Sequence, residues 1–166
     1  MSTTPARYTV QQLSADDGPL MAALLGVFGE AFDDPATYGA SRPRPAYLRQ
    51  LLGSDYFIAL AAREGSQVIG GLAAYELRKF EQERSEIYIY DLAVAAGHRR
   101  RGVATALIRE LQRIGAERAA YVIFVQADPP DAPAVALYAK LGVREEVLHF
   151  DIAVPPVPPV QPVQAS

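Results

Sequence analysis

The stretch YIYDLAVAAGHRRRGVATALI, residues 88–108, constrains this chain more than any other. An apolar, β-rich run carries a single carboxylate, Asp91, and leads into a turn with three consecutive arginines, Arg99, Arg100 and Arg101. Gly102 follows. Ala104, Leu107, Ile108, Leu111 and Ile114 then recur at helical spacing, with Arg109, Glu110, Gln112 and Arg113 on the opposite side. A strand that turns through arginines and a glycine into a helix is suited to hold an anion. The first N–H groups of a helix have no internal partners, and its dipole places partial positive charge there. Small residues let a phosphate approach the backbone, and guanidinium groups add charge-assisted bonds. The spacing is neither a P-loop nor GxGxxG, which disfavours those two nucleotide sites. The competing reading is a solvated basic turn.

The rest of the chain reads as alternating elements. Residues 8–13 suit a strand, and Ser14 with Asp16 and Asp17 suits a helix start before Leu20, Leu24, Leu25 and Phe28. FDDPATYGASRPRP reads as a loop, followed by a short helix over 46–52. Two β-rich runs, 57–63 and 67–77, flank Glu64, Gly65 and Ser66 as a hairpin, and residues 85–94 make a further strand. Residues 121–126 read as a strand covered on both faces. Residues 131–140 suit a helix with Asp131 as N-cap and Gly142 just past its end. A last strand is predicted over 143–154. The tail VPPVPPVQPVQAS holds five prolines and no amphipathic period, so it reads as extended or disordered from residue 155. The expected fold is an α/β domain, residues 1–154, with a mixed central sheet flanked by helices.

Composition narrows the function. A length of 166 residues suits one domain with a proper core. The absence of cysteine excludes disulfides, thiolate metal sites and a cysteine nucleophile. No run approaches the roughly 18 apolar residues of a membrane span, and the first residues lack a secretion-signal pattern, so a cytoplasmic protein is expected. A net charge of −3 argues against nucleic acid as a partner and suits a cationic small substrate. No histidine spacing resembles a metal site, so no metal is expected.

R-x-x-G-x-A over Arg99, Arg100, Arg101, Gly102, Val103 and Ala104, after the strand YIYDLAV, resembles the acyl-CoA motif of the GNAT superfamily of N-acyltransferases. The segments KFEQERSEIYIYDLAV, AYVIFVQAD and AVALYAKLGVREEVLHFDI are similar to the gentamicin-type aminoglycoside 3-N-acetyltransferases, a likeness running from about Phe28 to Ile152. The resemblance implies an acetyl-CoA-dependent enzyme that acetylates the 3-amino group of the deoxystreptamine ring by direct attack on the thioester, conferring resistance. The pyrophosphate of coenzyme A would rest on Arg99, Arg100, Arg101, Gly102, Val103, Ala104 and Thr105. The pantetheine arm would pair with the backbone of Leu92, Ala93 and Val94. The alternative acceptor is another amine: a polyamine, a lysine side chain or a protein N-terminus. A homodimer is also expected.

Asp91 is the candidate for binding and deprotonating the acceptor amine, because a carboxylate inside an apolar strand costs desolvation energy unless something uses it. A structural cap or ion pair is the competing role. Tyr138 matches the tyrosine that protonates the departing thiolate in the superfamily; its competing role is a core aromatic. Ala134 and Ala136 stand near where many members carry an asparagine. A polycationic acceptor needs converging carboxylates, and Glu81, Glu83, Asp128, Asp131, Glu145, Glu146, Asp151, Asp33 and Asp34 are available. Glu83, Glu146 and Asp151 are the preferred three. His149 reads as a packed polar residue and His98 as part of the basic turn.

Overall fold

A computed structural model describes residues 8–156. The Pro-rich tail, from residue 157 onward, lies outside the described residues. The chain divides into two compact units after Asp128, and each is described by itself.

The first unit is a five-stranded sheet in sequential order: β1 (Thr9–Gln12), β2 (Phe57–Glu64), β3 (Gln67–Arg78), β4 (Ser85–Val94) and β5 (Ala120–Val125). The first four strands are antiparallel, and β5 runs parallel to β4. That change of direction demands a crossover, supplied by α3 (Val103–Glu117). Between β1 and β2 lie α1 (Gly18–Ala31) and α2 (Pro45–Leu52). The β2–β3 turn closes at Gly65, whose φ of 61° favours glycine.

Helices pack on both faces because the strands are apolar on both. Leu24 and Phe28 of α1, with Leu48 and Leu52 of α2, share a core with Phe57, Ala59, Ala61, Ala73 and Ala93. Gly71 permits this packing, since a Cβ there would lie 2.4 Å from the Leu60 carbonyl and 2.5 Å from the Leu24 side chain. Of the apolar stripe read on α3, Leu107, Ile108, Leu111 and Ile114 are buried as their periodicity predicts; Ala104 is half-buried, and Val103 is buried beside them.

Several expectations are corrected. Of the three residues read as the start of α1, Asp17 is the one that immediately precedes it; its carboxylate accepts from the Ser14 N–H and hydroxyl at 2.7 and 2.8 Å, tying off the turn before the helix. Inside the Pro/Gly-rich loop, residues Ala36–Ala40 form one π-helical turn. The β5 strand is not covered on both faces: Tyr121, Val122 and Phe124 are exposed, and among the described residues its only ladder is with β4. Apolar composition reported its β propensity correctly, but cannot distinguish a central strand from an edge.

The second unit contains α4 (Ala132–Ala139), where Asp131 caps as predicted by accepting from the Ala134 N–H at 3.1 Å. The strand predicted over 143–154 does not form among the described residues. Val143, Leu148, Phe150, Ile152 and Val154 stand exposed there. A strand exists only through a ladder partner, and among the described residues none pairs with this segment.

Candidate active site

The site grows from one irregularity in β4. Ala74 of β3 pairs with Ile89 and Ala73 with Asp91, so Tyr90 is an extra, bulged residue. In a regular strand Asp91 would share a face with Ile87 and Ile89, both buried. The bulge resets the phase and places Asp91 with Ala93, on the face packed by α1 and α2. It also marks where the sheet opens. The ladder between β4 and β5 ends at Ile89 and Val125, and beyond it Leu92, Ala93 and Val94 pair only with β3 among the described residues.

Asp91 is half-buried, and burial raises its carboxyl pKa above the ordinary value, partly offset by a hydrogen bond from Tyr38. The Tyr38 hydroxyl donates to Asp91 Oδ2 at 3.0 Å. Around this pair lies an aromatic row. Tyr75 meets Phe57 at 5.2 Å and Tyr90 at 6.0 Å, Tyr90 meets Tyr88 at 5.8 Å, and Tyr88 stacks on Phe124 at 4.8 Å. Burial lifts the hydroxyls of Tyr75 and Tyr88 above the usual phenol range, with neighbouring negative charge adding to it. Both stay neutral donors at physiological pH.

Beyond Val94 a short 3-10 turn, Ala96–His98, leads into the arginines. Arg99 Nε donates to the Val94 carbonyl at 3.1 Å, fixing the exit of the strand. Arg100 and Gly102 adopt positive φ, 63° and 80°. The left-handed glycine begins α3 with no side-chain cap, so the N–H groups of Val103, Ala104 and Thr105 have no partner from a capping side chain. Arg101 is tied back to Glu64 at 2.9 Å, and His98 Nε2 meets the same carboxylate at 3.1 Å. These contacts hold the Glu64 carboxyl below its usual range. A groove of about 640 Å³ lined by Tyr8, Gly102, Thr105, Ala106 and Arg109 runs beside the helix start.

The proposed carboxylates belong to both units. Glu83 is exposed in the β3–β4 connection, beyond the Ser85 end of β4, which is roughly 20 Å along the strand from Asp91 at ~3.3 Å per residue. Among the others in that unit, Glu81 pairs with Lys79 and Arg84, and Asp34 accepts from the Thr37 N–H at 3.0 Å. In the second unit Glu146 pairs with Arg144 at 2.9 Å and Asp151 with His149 at 3.0 Å. His149 is exposed rather than packed. Tyr138, on α4, is half-buried; burial, and then the Asp131 charge, raise its hydroxyl pKa. No cluster of three metal-ligating side chains occurs among the described residues.

Sequence reasoning missed Tyr38 and the Glu64–His98 link. Tyr38 sits far from Asp91 in sequence, in a stretch whose composition says only loop. The tyrosines flanking Asp91, by contrast, were signalled by YIYD itself.

Residues 27–143 match the acetyltransferase (GNAT) family. The chain is 68% identical to an aminoglycoside acetyltransferase from an uncultured soil metagenomic sample, with a TM-score of 0.88 over 89% of this chain and 99% of that one. A second soil-metagenome aminoglycoside acetyltransferase, in complex with sisomicin, is 28% identical with a TM-score of 0.82 over 89% and 97% of the two chains. The N-acetyltransferase 8B of Rattus norvegicus is 26% identical over 98 residues, 59% of this chain and 43% of that protein, so the chain spans less than half of that relative. With the family match covering most of the sheet, α3 and α4, the chain belongs to the acetyltransferase (GNAT) family.

Proposed function

We propose that the protein transfers an acetyl group from acetyl-CoA to the 3-amino group of the deoxystreptamine ring of aminoglycosides, conferring resistance to them. The observation that carries this reading is the position of Asp91. It is a half-buried carboxylate re-aimed by a bulge, at the strand end whose outer edge has no ladder among the described residues and which leads to a helix N-terminus with no side-chain cap. The 68% identity to an aminoglycoside acetyltransferase supports the acceptor class. The 3-amino position rests on the resemblance of the β4, β5 and α4 segments to 3-N-acetyltransferases.

The chain's own groups suit coenzyme A. The edge at Leu92, Ala93 and Val94, which has no strand partner on that side among the described residues, would offer backbone groups to an amide-bearing arm. Arg99, Arg100, Arg101, Gly102, Val103, Ala104 and Thr105 offer charge and helix N–H groups to a pyrophosphate. An alkyl amine of the lysine type has a pKa of about 10.4 and arrives protonated. Asp91 takes that proton, and its raised affinity for protons helps. The neutral nitrogen then attacks the acetyl carbonyl and the C–S bond breaks; the Tyr138 hydroxyl would give its proton to the departing thiolate, and the second N–H proton, released as the amide forms, would pass through solvent to restore that hydroxyl. Positioned acid–base groups of this kind contribute ~10²–10⁴-fold. Glu83, Glu146 and Asp151 would hold further amines of the polycation.

We place the enzyme in the cytoplasm and pair it as a homodimer, which would cover the exposed apolar residues of β5; light scattering tests the pairing. The decisive experiment follows thiol release from acetyl-CoA with gentamicin, kanamycin, spermidine and a lysine peptide as acceptors. Gentamicin-dependent release with the product modified at the 3-amino group is expected. Release only with spermidine or the peptide would overturn the antibiotic assignment in favour of another amine.

A further inference from the structure

We propose that Tyr38 is a positioning residue for Asp91: its hydroxyl holds carboxylate oxygen Oδ2 and so directs Oδ1 to the acceptor amine. The inference rests on the acetyl-transfer reading of Asp91 and adds to it a residue from a segment far away in sequence.

The connection between α1 and α2 is built around this one side chain. Asp33 adopts a positive φ of 52°, and the Asp34 N–H donates to the Gly29 carbonyl at 3.0 Å, folding the chain back onto α1. The Asp34 side chain then caps the Thr37 N–H, and residues Ala36–Ala40 close a single π-helical turn. Such turns cost regular hydrogen bonding and recur where a side chain must be aimed. The Tyr38 ring packs against Phe28 at 5.9 Å and Phe32 at 5.6 Å. Gly29 leaves room for it, because a Cβ there would stand 3.2 Å from the Tyr38 Cβ. With ring and backbone both held, the hydroxyl meets Asp91 at 3.0 Å across a sequence separation of 53 residues.

The chemistry follows from which proton moves. Tyr38 is the poorer acid: burial, and then the Asp91 charge, hold its hydroxyl well above the usual phenol range. It therefore remains a donor while Asp91 cycles between carboxylate and acid. With Oδ2 occupied, the ammonium proton of the acceptor passes to Oδ1. A hydrogen bond to the charged form also favours that form, so Tyr38 keeps Asp91 ionised and ready despite its burial. The other ionisable groups facing the pair are Tyr90 on β4, Tyr75 on β3, Tyr88 on β4 and Asp34 beside Tyr38. Tyr75 and Tyr88, raised above the usual phenol range, are neutral at physiological pH. Asp34 is held below the usual carboxylate range by its bonds to Thr37, so it contributes a steady negative charge that does not titrate with Asp91.

Tyr38→Phe keeps the ring and its contacts and removes only the hydroxyl. Its kcat/KM for the aminoglycoside is expected to fall about tenfold, the scale of a lost hydrogen bond to a charged group. The acid limb of the pH profile should move to higher pH, because Asp91 loses a bond that favours its ionised form. Thermal stability should change little, whereas Tyr38→Ala, which empties the aromatic cluster, should lower it. A second readout needs no turnover. The carboxyl carbon of Asp91, followed by NMR in the acceptor-free protein, should titrate at higher pH in Tyr38→Phe than in the wild type. Wild-type turnover with an unchanged kcat/KM and acid limb in Tyr38→Phe would overturn the inference, and so would identical Asp91 titrations. Absence of wild-type turnover with every amine would instead overturn the acetyl-transfer reading, leaving the NMR comparison to decide the Tyr38–Asp91 coupling.

Discussion

The two halves of β4 share a backbone and do different work. Up to Ile89 the strand is laddered on both edges, to β3 and β5, and its alternate residues Ser85, Ile87 and Ile89 are buried. From Tyr90 onward it pairs only with β3 among the described residues, and its burial alternation breaks at the bulge. The first half is where a sheet gains its packing. The second gives up a ladder among the described residues, half-buries a carboxylate and leaves a row of backbone groups beside it, both unfavourable for stability alone. One extra residue separates them. The candidate site is thus set in an ordinary central strand where one neighbour ends early and the side-chain phase shifts by one.

The sharpest way to break this comparison is to neutralise the carboxylate of the second half. Asp91→Asn keeps shape and an acceptor for Tyr38, but cannot take a proton. Steady-state kinetics should give a kcat lower by ~10²–10⁴-fold, the range of positioned general acid–base catalysis. Stability should move the other way. The folded-state pKa of Asp91 is raised, mainly by burial, so the group binds protons more tightly in the folded protein than in the unfolded one. Its ionisation therefore costs stability as pH rises through the folded pKa. Melting curves should place Asp91→Asn above the wild type at neutral pH, with the gap closing on acidification. A kcat within threefold of wild type would remove Asp91 from the chemistry.

The matching change in the first half is Ile87→Ala. Ile87 is fully buried, close to Gly115 of α3, where an added Cβ would lie 3.3 Å from its Cδ1. Such a truncation costs about 2–5 kcal/mol through lost transfer energy and the cavity left behind, read by denaturant unfolding. Turnover per folded molecule should stay near wild type. A large loss of kcat without loss of stability would mean the two halves are not separable.

The contrast also explains what could be read from the sequence. Several features carried by contiguous residues were legible: the strand 85–94, the turn Arg99–Gly102, the apolar side of α3 and the Asp131 cap. Asp91 itself stood out because a lone acid in an apolar run is conspicuous, yet the bulge that aims it was not, since YIYDLAV alternates no differently with or without an extra residue. Tyr38 was illegible for a different reason. Its partner is distant in sequence, and composition near Pro35 and Gly39 reports only that the chain turns. The same limit applies to β5 and residues 143–154, where β propensity was visible but ladder partners were not. Whether Glu83, Glu146 and Asp151 converge on an acceptor belongs to that class too, because convergence is a property of the fold and not of any segment.

The smallest expected effect concerns the turn after the second half. Glu64, at the end of β2, accepts from Arg101 and meets His98, so the hairpin is pinned to the turn that leads into α3. Glu64→Gln weakens that pin while leaving Gly102 and the helix start intact. Hydrogen bonds from Arg101 and His98 depress the folded-state pKa of Glu64. Its contribution is therefore present above the ordinary glutamate pKa and lost as pH falls through the depressed value. Glu64→Gln should lower the melting temperature slightly at neutral pH, less so at high salt, and converge with the wild type under acid. The KM for acetyl-CoA should change by no more than about threefold, the scale of an exposed ion pair. A much larger rise would mean that the proposed cofactor turn depends on this tether as heavily as the proposed acceptor side depends on Asp91, and that the one is no more locally built than the other.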